Sequence, residues 1–262
     1  MLMVRTMWRA TVQTSTRETL SGQAYLAIKN QILHGQLTMG AVLSRRTLAK
    51  ELGMSMLPIC TAIQRLEEEG LLESKPRVGT RVRLPTEQDI RERHVIREAL
   101  ESQAARLVAG KATLQQRQEL ARMAGQLDAL YRRASTDPDP EFLFAVHGYH
   151  MQFHLRIAEF SGISALRELI EKNNLLVLNW LYDLVTPQPP LPFRFHADLI
   201  QVVTGQDVEA AEQAMRKHVR FGEEATVRAV ARASTSPDSR WRLRSTPITE
   251  SIPAPVSAET PQ

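Results

Sequence analysis

Apolar residues recur with helical spacing along most of this 262-residue chain. A first stripe runs over residues 20–33. Between residues 44 and 83, four apolar residues recur at steps of three, four and seven, which puts them on one buried helix face. They are Ile59, Ala62, Ile63 and Leu66. From residue 87 to about 232 every long segment again has helical periodicity, without strand-like alternation. The pattern predicts a mostly α-helical protein.

The segment with the second stripe has the pattern of a helix-turn-helix. Gly53 ends a first short helix where a left-handed backbone is easy, and Ser55 is suited to cap the second helix. That second helix is polar opposite its buried face, so it can enter a major groove of DNA. Two short strands follow at 71–74 and 80–83. The basic segment 75–79 turns between them as a wing.

This segment resembles the GntR family of bacterial transcription regulators. The matching residues are Leu48-Ala49, Gly53, Ser55, Pro58, Arg65 to Glu73, Gly79-Thr80 and Val82. The resemblance implies a winged helix-turn-helix that binds double-stranded operator DNA. The family usually has arginines where this chain has Met56 and Cys60, so the operator sequence is not carried over, whereas Arg46 keeps a family contact. The expected DNA-binding residues are Arg45, Arg46, Ser55, Met56, Cys60, Thr61 and Gln64, with Lys75, Arg77 and Gly79 from the wing.

The charges favour a nucleic-acid partner for the first part of the chain. Residues 1–84 hold 12 of the 33 Lys/Arg and 6 of the 29 Asp/Glu, a balance of +6, and the remainder has a balance of −2. This basic excess suits a phosphate partner and disfavours the alternative, a winged helix used only for protein contacts. The single cysteine excludes an intramolecular disulfide and fits a cytoplasmic protein. The longest apolar stretch, 175–185, is too short to span a bilayer, so no membrane partner is expected.

Turn-forming residues divide the second part into six expected helices. They lie at about 87–110, 113–135, 139–161, 164–185, 193–204 and 207–232. They predict an all-helical bundle with a core that includes Ile96, Leu100, Leu107, Leu166, Leu169 and Ile170. The expected organisation is a flexible arm (1–16), a winged helix-turn-helix DNA-binding domain (17–84), a helical domain for metal, effector and dimerisation (85–232) and a disordered tail (233–262).

Four of the seven histidines lie at inward positions of these helices. They are His150, His154, His196 and His218. The first two are four residues apart and share one helix face. A single inward histidine is ordinarily a hydrogen-bonded core residue. Four together are costly to bury without partners, and one divalent metal satisfies them all. From spacing alone both interpretations stay open.

The second part resembles the FCD ligand-binding domain of the FadR-type branch of the GntR family. The matching residues are Phe153, His154, His196, His218 and the segment Arg97 to Glu101. The resemblance implies that His154, His196 and His218 bind one divalent metal. His150 is the expected fourth ligand, and a three-histidine site remains if it does not ligate. The family has aspartate where this chain has His150, and asparagine where it has Ile163. An all-imidazole site lacks the carboxylate that Mn²⁺ prefers, so Zn²⁺ is expected, with Ni²⁺ as the alternative.

The expected effector is a small carboxylic acid bound on that metal. Four neutral imidazoles leave the double charge of the ion uncompensated, so the site is expected to favour anions, dicarboxylates included. Arg97 is a candidate second anchor through a bidentate pair, and the alternative is a salt bridge to Glu101 four residues later. His147 is a further candidate effector contact, and the alternative is a histidine on a mixed helix face.

These features predict a cytoplasmic homodimeric transcription regulator, acting as a repressor on a two-fold symmetric operator. Two alternatives differ in class. One is a regulator that responds to the metal alone. The other is a metal-dependent hydrolase fused to a DNA-binding module, which is disfavoured because the pocket helices lack His-Glu-x-x-His and Glu159 points away from His154. No catalytic residue is expected.

Overall fold

The computed structural model describes residues 19–33, 36–75, 79–136, 140–183 and 191–235. The expected arm (1–16) and residues 236–262 of the expected tail lie outside this part of the chain. Within it, helices dominate and the strands form one small sheet. The expected fold class is therefore confirmed: a winged helix-turn-helix followed by an all-helical bundle.

The N-terminal region, called the head below, contains three helices and three strands in the described residues. They are α1 (Leu20–Leu33), β1 (Val42–Leu43), α2 (Arg45–Glu51), α3 (Met56–Glu68), β2 (Leu72–Lys75) and β3 (Gly79–Val82). The sheet is antiparallel in the order β1-β3-β2, with Leu72 opposite Val82 and Val42 opposite Arg81. The sequence pattern does not predict β1, because two residues are too few to show an alternation.

The core of the head forms as the apolar pattern predicts. The four stripe residues of α3 are at most 1% exposed, and they belong to one cluster with Ile28 and Ile32 of α1. Burying a side chain such as Leu66 contributes roughly 2 kcal/mol, which fixes α3 with its polar face outward. Gly53 has a φ of +63° between α2 and α3, the left-handed conformation expected at that turn.

The C-terminal region, called the bundle below, contains six helices in the described residues. They are α4 (Glu87–Val108), α5 (Leu114–Thr136), α6 (Pro140–Phe160), α7 (Ser164–Asp183), α8 (Phe195–Val203) and α9 (Val208–Thr235). Their bounds agree with the expected helices to within a few residues. The largest fully buried side chains of the bundle core include Leu120, Leu127 and Phe153.

Two expected core residues of the bundle are exposed instead. Ile96 is 41% exposed and Leu169 is 55% exposed. At ~100° per residue, Ile96 lies well away from Glu101, which is on the buried side of α4. Leu169 lies at the edge of the buried stripe that passes through Ile170 and Asn173. The inward face of each helix is set by its neighbours, and an apolar residue beside that face remains exposed.

Helix starts use their capping residues in different ways. The Ser44 hydroxyl accepts a hydrogen bond from the backbone N–H of Thr47 at 3.3 Å and so caps α2. Ser55 precedes α3 with an extended backbone, but its side chain makes no capping bond, so the expected side-chain cap is absent. Thr86 caps α4 as expected, in a reciprocal capping box with Asp89.

Two bundle helices reach into the head. Ile90 of α4 and Val227 of α9 belong to the same buried cluster as the core of the head. At the same junction, Arg83 at the end of the wing pairs with Asp89 of α4. Helices α4 and α9 pack against each other. They therefore connect the interior of the bundle to the DNA-binding region.

Candidate metal centre and nucleic-acid interface

Two helices bring three of the histidines to one point. His150 and His154 lie on α6, and His218 lies on α9. The Nε2 atom of His150 is 2.9 Å from that of His154 and 3.2 Å from that of His218, and the last two are also 3.2 Å apart. The three ring nitrogens thus form a small, nearly equilateral triangle.

His196 joins this triangle from a third helix, α8. Its ligand atom lies within 4.8 Å of those of His150 and His218. The imidazole is 0% exposed, and its Nε2 has no hydrogen-bond partner among the described residues. A buried polar atom left without a partner costs roughly 1–3 kcal/mol. An ion at the centre of the group would satisfy it.

The spacing of the ring nitrogens fits a divalent ion. Nitrogen ligands held at ~2.1 Å from one ion and at right angles to each other are ~3.0 Å apart. The Nε2 separations of 2.9 and 3.2 Å agree with that value. His150, His154 and His218 therefore meet at a spacing close to that of ligands on one ion, and His196 lies within 4.8 Å of two of them.

Buried carboxylates orient two of the imidazoles from behind. The Nδ1 of His154 lies 2.7 Å from Oε2 of Glu101, and Oε1 of Glu101 accepts a hydrogen bond from Nε of Arg97 at 3.0 Å. The Nδ1 of His196 lies 2.8 Å from Oδ1 of Asp128, which also accepts the backbone N–H of His196 at 3.0 Å. A carboxylate on Nδ1 fixes the hydrogen there, so the lone pair on Nε2 faces the centre.

A tyrosine performs the same task for His150. The hydroxyl oxygen of Tyr131 lies 2.9 Å from Nδ1 of His150 and 3.1 Å from Nδ1 of His147. When Nε2 of His150 faces the ion, its Nδ1–H donates to the tyrosine oxygen, so the hydroxyl hydrogen is directed to His147. A chain of hydrogen bonds therefore joins His147 to the cluster.

Burial keeps four imidazoles neutral, those of His147, His150, His196 and His218. It lowers the pKa values of His150 and His218 well below the ordinary value, and neighbouring imidazoles and Arg97 add to the shift. It also lowers the pKa of His196, although the bond to Asp128 opposes this, and it lowers the pKa of His147 to about 4. Metal ligation requires unprotonated ring nitrogens. His150, His196 and His218 are therefore in the form that binds a cation at neutral pH.

The two carboxylates behind the cluster are ionised. Burial opposes the ionisation of Glu101, but the charge of Arg97 and the contact with His154 outweigh it and hold its pKa below the ordinary value. Burial likewise opposes ionisation of Asp128, and its hydrogen bonds with His196 outweigh that effect and lower its pKa. Two negative charges therefore lie on the outer side of the cluster, one beside His154 and one beside His196.

The structure brings the expected effector residues to the same site, with different partners. Arg97 makes the alternative salt bridge to Glu101, and its charge also reaches His150 and His218. His147 contacts the cluster only through Tyr131. The sequence pattern did not indicate the roles of Asp128 and Tyr131, or the contact of Glu101 with His154. Asp128 carried a usable signal, because it is a charged residue directly after Leu127 on the buried stripe of α5.

Most of the expected DNA-binding residues have exposed side chains in the described part of the head. Those with exposed side chains are Arg45, Arg46, Ser55, Met56, Thr61, Gln64 and Lys75, whereas Cys60 is half-buried, Gly79 is exposed, and Arg77 lies outside the described residues. Between α2 and the hairpin, a groove of about 580 Å³ is lined by Leu43, Arg45, Ser74, Lys75, Gly79 and Thr80. The first turn of α2 and the wing therefore border one depression on the surface.

Three of the expected DNA-binding side chains make long contacts with other residues of the head. Gln64 donates to Glu68 on the same helix at 3.2 Å, and Lys75 lies 3.8 Å from Glu73. Arg45 donates to Thr80 at 3.4 Å. The contacts of Gln64 and Lys75 are exposed and contribute little to stability, so these two side chains are available for other partners.

A winged helix-turn-helix is the fold of a DNA-binding regulator, and here it is joined to a helical domain that holds a cluster of imidazoles. The sequence profile described as bacterial regulatory proteins, gntR family, matches residues 20–82, and that of the FCD domain matches residues 92–221. The chain belongs to the GntR family and carries an FCD domain.

Individual relatives agree with this assignment. The chain is 30% identical over 214 residues, 80% of its length and 90% of the relative, to a protein of Paenarthrobacter nicotinovorans named "Probable D-xylose utilization operon transcriptional repressor". It is 26% identical to the HTH-type transcriptional repressor RspR of Escherichia coli K12, over 80% of this chain and 91% of that one. The solved structure of E. coli McbR/YncC superimposes with a TM-score of 0.61 at 25% identity, over 80% of this chain and 98% of that one.

These families and relatives are transcription regulators. The chain is therefore a DNA-binding transcription regulator and not an enzyme, and the hydrolase alternative is set aside. Among the described helices, none combines the length and the apolar character needed to cross a membrane.

Proposed function

We propose that this regulator is a repressor whose operator affinity is controlled by a small carboxylic acid bound at a metal in the bundle. The observation that carries the proposal is the orphaned Nε2 of His196, which faces the nitrogens of His150 and His218 in a buried site. The names of the relatives from P. nicotinovorans and E. coli support repression rather than activation.

The proposed ligands of the metal are His150, His154, His196 and His218. When bound, the ion would supply a positive charge that attracts an anion in a poorly hydrated pocket. Glu101, Asp128 and Tyr131 hold three of the imidazoles in the tautomer that ligation needs. Four nitrogen ligands favour Zn²⁺, with Ni²⁺ as the nearest competitor, because no carboxylate is offered for Mn²⁺.

The acid is proposed to bind on the metal beside Arg97 and His147. One guanidinium nitrogen of Arg97 is bonded to Glu101, and a guanidinium has further donors that suit a carboxylate. His147 would contact the acid through whichever ring nitrogen Tyr131 leaves unused. For the acid to act, it must bind one arrangement of the heads more tightly than the other.

The regulator is proposed to act as a cytoplasmic homodimer on a two-fold symmetric operator. One winged helix offers few base contacts, and two symmetric copies double the contact surface. The expected contacts on each half-site come from α3 and from the first turn of α2, with Lys75 and Arg77 on the phosphates.

A second candidate function is a sensor of the metal alone. It is favoured by the same four imidazoles, since an ion held by four nitrogens needs no acid to complete a tetrahedral shell. The two candidates differ in whether an acid is required for operator release.

The test combines metal analysis with operator titration. Protein purified without chelator should carry about one Zn²⁺ per chain, and His196→Ala should lose it. His94→Asn is the matched control, because His94 is a buried histidine outside the cluster, and it should retain the metal. Metal-loaded protein should release operator DNA when small acids are added, and chelated protein should not. Release by metal alone selects the second candidate, and metal-free protein with an intact acid response contradicts both.

A further inference from the structure

The charges that surround the histidine cluster can be counted from the described residues. The anions in contact with the imidazoles are Glu101 and Asp128. A cation is bonded to this shell as well: Nε of Arg97 lies 3.0 Å from Oε1 of Glu101. Tyr131 is uncharged at neutral pH because an ordinary phenol ionises near pH ~10, and His147 is uncharged because burial lowers its pKa to about 4.

These fixed charges change the balance expected from the four imidazoles alone. Arg97 offsets one of the two carboxylates, so the protein contributes a net charge of about −1 to the site. A divalent ion added to neutral imidazoles brings the total to about +1. The double positive charge inferred from the ligands alone, which would suit a dicarboxylate, is therefore half compensated before any effector binds.

Burial makes this balance decisive for the effector. Glu101 is 2% exposed, Asp128 is 7% exposed and the imidazole of His196 is 0% exposed. An uncompensated charge in such surroundings is strongly unfavourable, and interactions between charges are weakly screened there. A ligand that carries one negative charge brings the buried site to neutrality, whereas a second carboxylate would be buried without a counter-charge.

We propose that the effector is a monocarboxylate, with any further recognition made through uncharged groups such as hydroxyls, and that Glu101 and Asp128 select against dicarboxylates by supplying the second negative charge themselves. This inference rests on the proposed function, because it takes the metal and an acid effector as its starting point. It makes Glu101 and Asp128 specificity-determining as well as positioning residues.

The experiment measures acid binding by calorimetry on the metal-loaded, full-length protein. The probes are matched pairs of equal chain length: lactate and tartronate, 2-hydroxybutyrate and malate, gluconate and glucarate. In at least one pair the monocarboxylate should bind about tenfold more tightly than the dicarboxylate, as expected when one buried charge is left uncompensated. The amide of the best monocarboxylate should bind more weakly than the acid.

The charge count is then changed by one. Glu101→Gln keeps an oxygen that accepts from His154 but removes a negative charge, so the preference within the best pair should shift toward the dicarboxylate by about tenfold. Asp128→Asn makes the same change on the other side of the cluster and should give the same shift, which covers the case in which one variant folds poorly. Glu119→Gln is the matched control, because Glu119 pairs with Arg156 away from the site, and its preference should remain that of the parent protein.

The outcomes separate this inference from the proposed function. Metal-dependent binding with dicarboxylates preferred, or an unchanged preference in both charge variants, overturns the monocarboxylate assignment and leaves the acid-sensing function standing. If no acid binds to the metal-loaded protein, or if chelation leaves acid binding intact, both are wrong. Metal content measured on each variant confirms that the comparison is made on loaded protein.

Discussion

The head and the bundle bury different kinds of side chain. Among the described residues, the head has one buried polar side chain, Thr80, whereas the bundle has ten. They are His94, Glu101, Ser102, Asp128, His154, Asn173, His196, Thr204, His218 and Thr226. The head therefore has an apolar core, to which Ile90 and Val227 of the bundle also contribute. The bundle has a polar interior in which at least one imidazole nitrogen remains without a partner.

This difference suits the two tasks. An apolar core is insensitive to ions and acidity, so the head can present α3 to DNA under all conditions in which the chain folds. A polar interior gains stability only when its groups are satisfied, so its free energy depends on what is bound. The proposed sensing site is therefore the polar interior of the bundle, and α4 and α9 connect that interior to the head.

The largest expected effect comes from removing the metal. An ion present at about a thousand times its dissociation constant stabilises the folded state by roughly 4 kcal/mol. Chelation should lower the unfolding temperature, and hydrogen exchange measured by mass spectrometry should rise in peptides that contain His150 and His218. Peptides of α3 in the head serve as the internal control and should change much less. Equal protection of the bundle with and without chelator would contradict a bound metal.

Acidification should weaken the bundle even without metal. His94 is 3% exposed, and its Nδ1 lies 2.9 Å from the carbonyl oxygen of Ile90. Burial lowers its pKa to about 4, and the adjacent charge of Arg97 adds to the shift. Because the folded-state pKa is below the unfolded value of ~6.5, the stabilisation is complete above pH ~6.5 and is lost as the pH falls toward 4.

For the chelated protein, this one group should cost roughly 2 kcal/mol between pH 7 and pH 5. The measurement is urea unfolding at the two pH values. The variant His94→Leu should lose less stability over that interval than the parent. A variant that loses as much as the parent would show that His94 does not titrate in this range.

A smaller effect is expected where the two regions meet. Val227 of α9 is buried in the core of the head, nine residues after the proposed ligand His218 on the same helix. Val227→Ala should reduce the coupling between acid binding and operator binding by about 1 kcal/mol, while each ligand still binds alone. The coupling is measured as the ratio of operator affinities with and without acid. Val108→Ala is the matched control, since Val108 is buried in the bundle cluster alone. It should preserve that ratio.

The smallest effect is expected on the surface of the head. Lys75 is exposed on β2 beside the groove that faces α2. If it contacts a phosphate, Lys75→Ala should lower the slope of log affinity against log salt by about 1 and weaken binding to all sequences alike. Lys111→Ala, an exposed lysine in the bundle, is the control and should leave the slope unchanged. If Lys75→Ala instead reduces the preference for the operator over other sequences, Lys75 contacts a base rather than a phosphate.

The sequence by itself determined the elements of this protein. The four buried residues of α3, the turn at Gly53, the cap at Thr86 and the bounds of six bundle helices follow from periodicity and local chemistry, which act over a few residues. The inward direction of the four histidines was readable for the same reason. Apolar residues beside a stripe, such as Ile96, were misjudged, because burial depends on which neighbour covers them.

Only the tertiary structure determined which carboxylates contact the imidazoles. Asp128 and His196 are 68 positions apart, and Glu101 and His154 are 53 apart, yet each pair is within hydrogen-bonding distance. No local pattern encodes such contacts, because they arise when helices from distant parts of the chain pack together. The charge around the imidazoles depends on these long-range carboxylates, and so does the kind of acid that we propose as the effector. Sequence periodicity predicts which face of a helix is inward, and only packing decides which charges meet there.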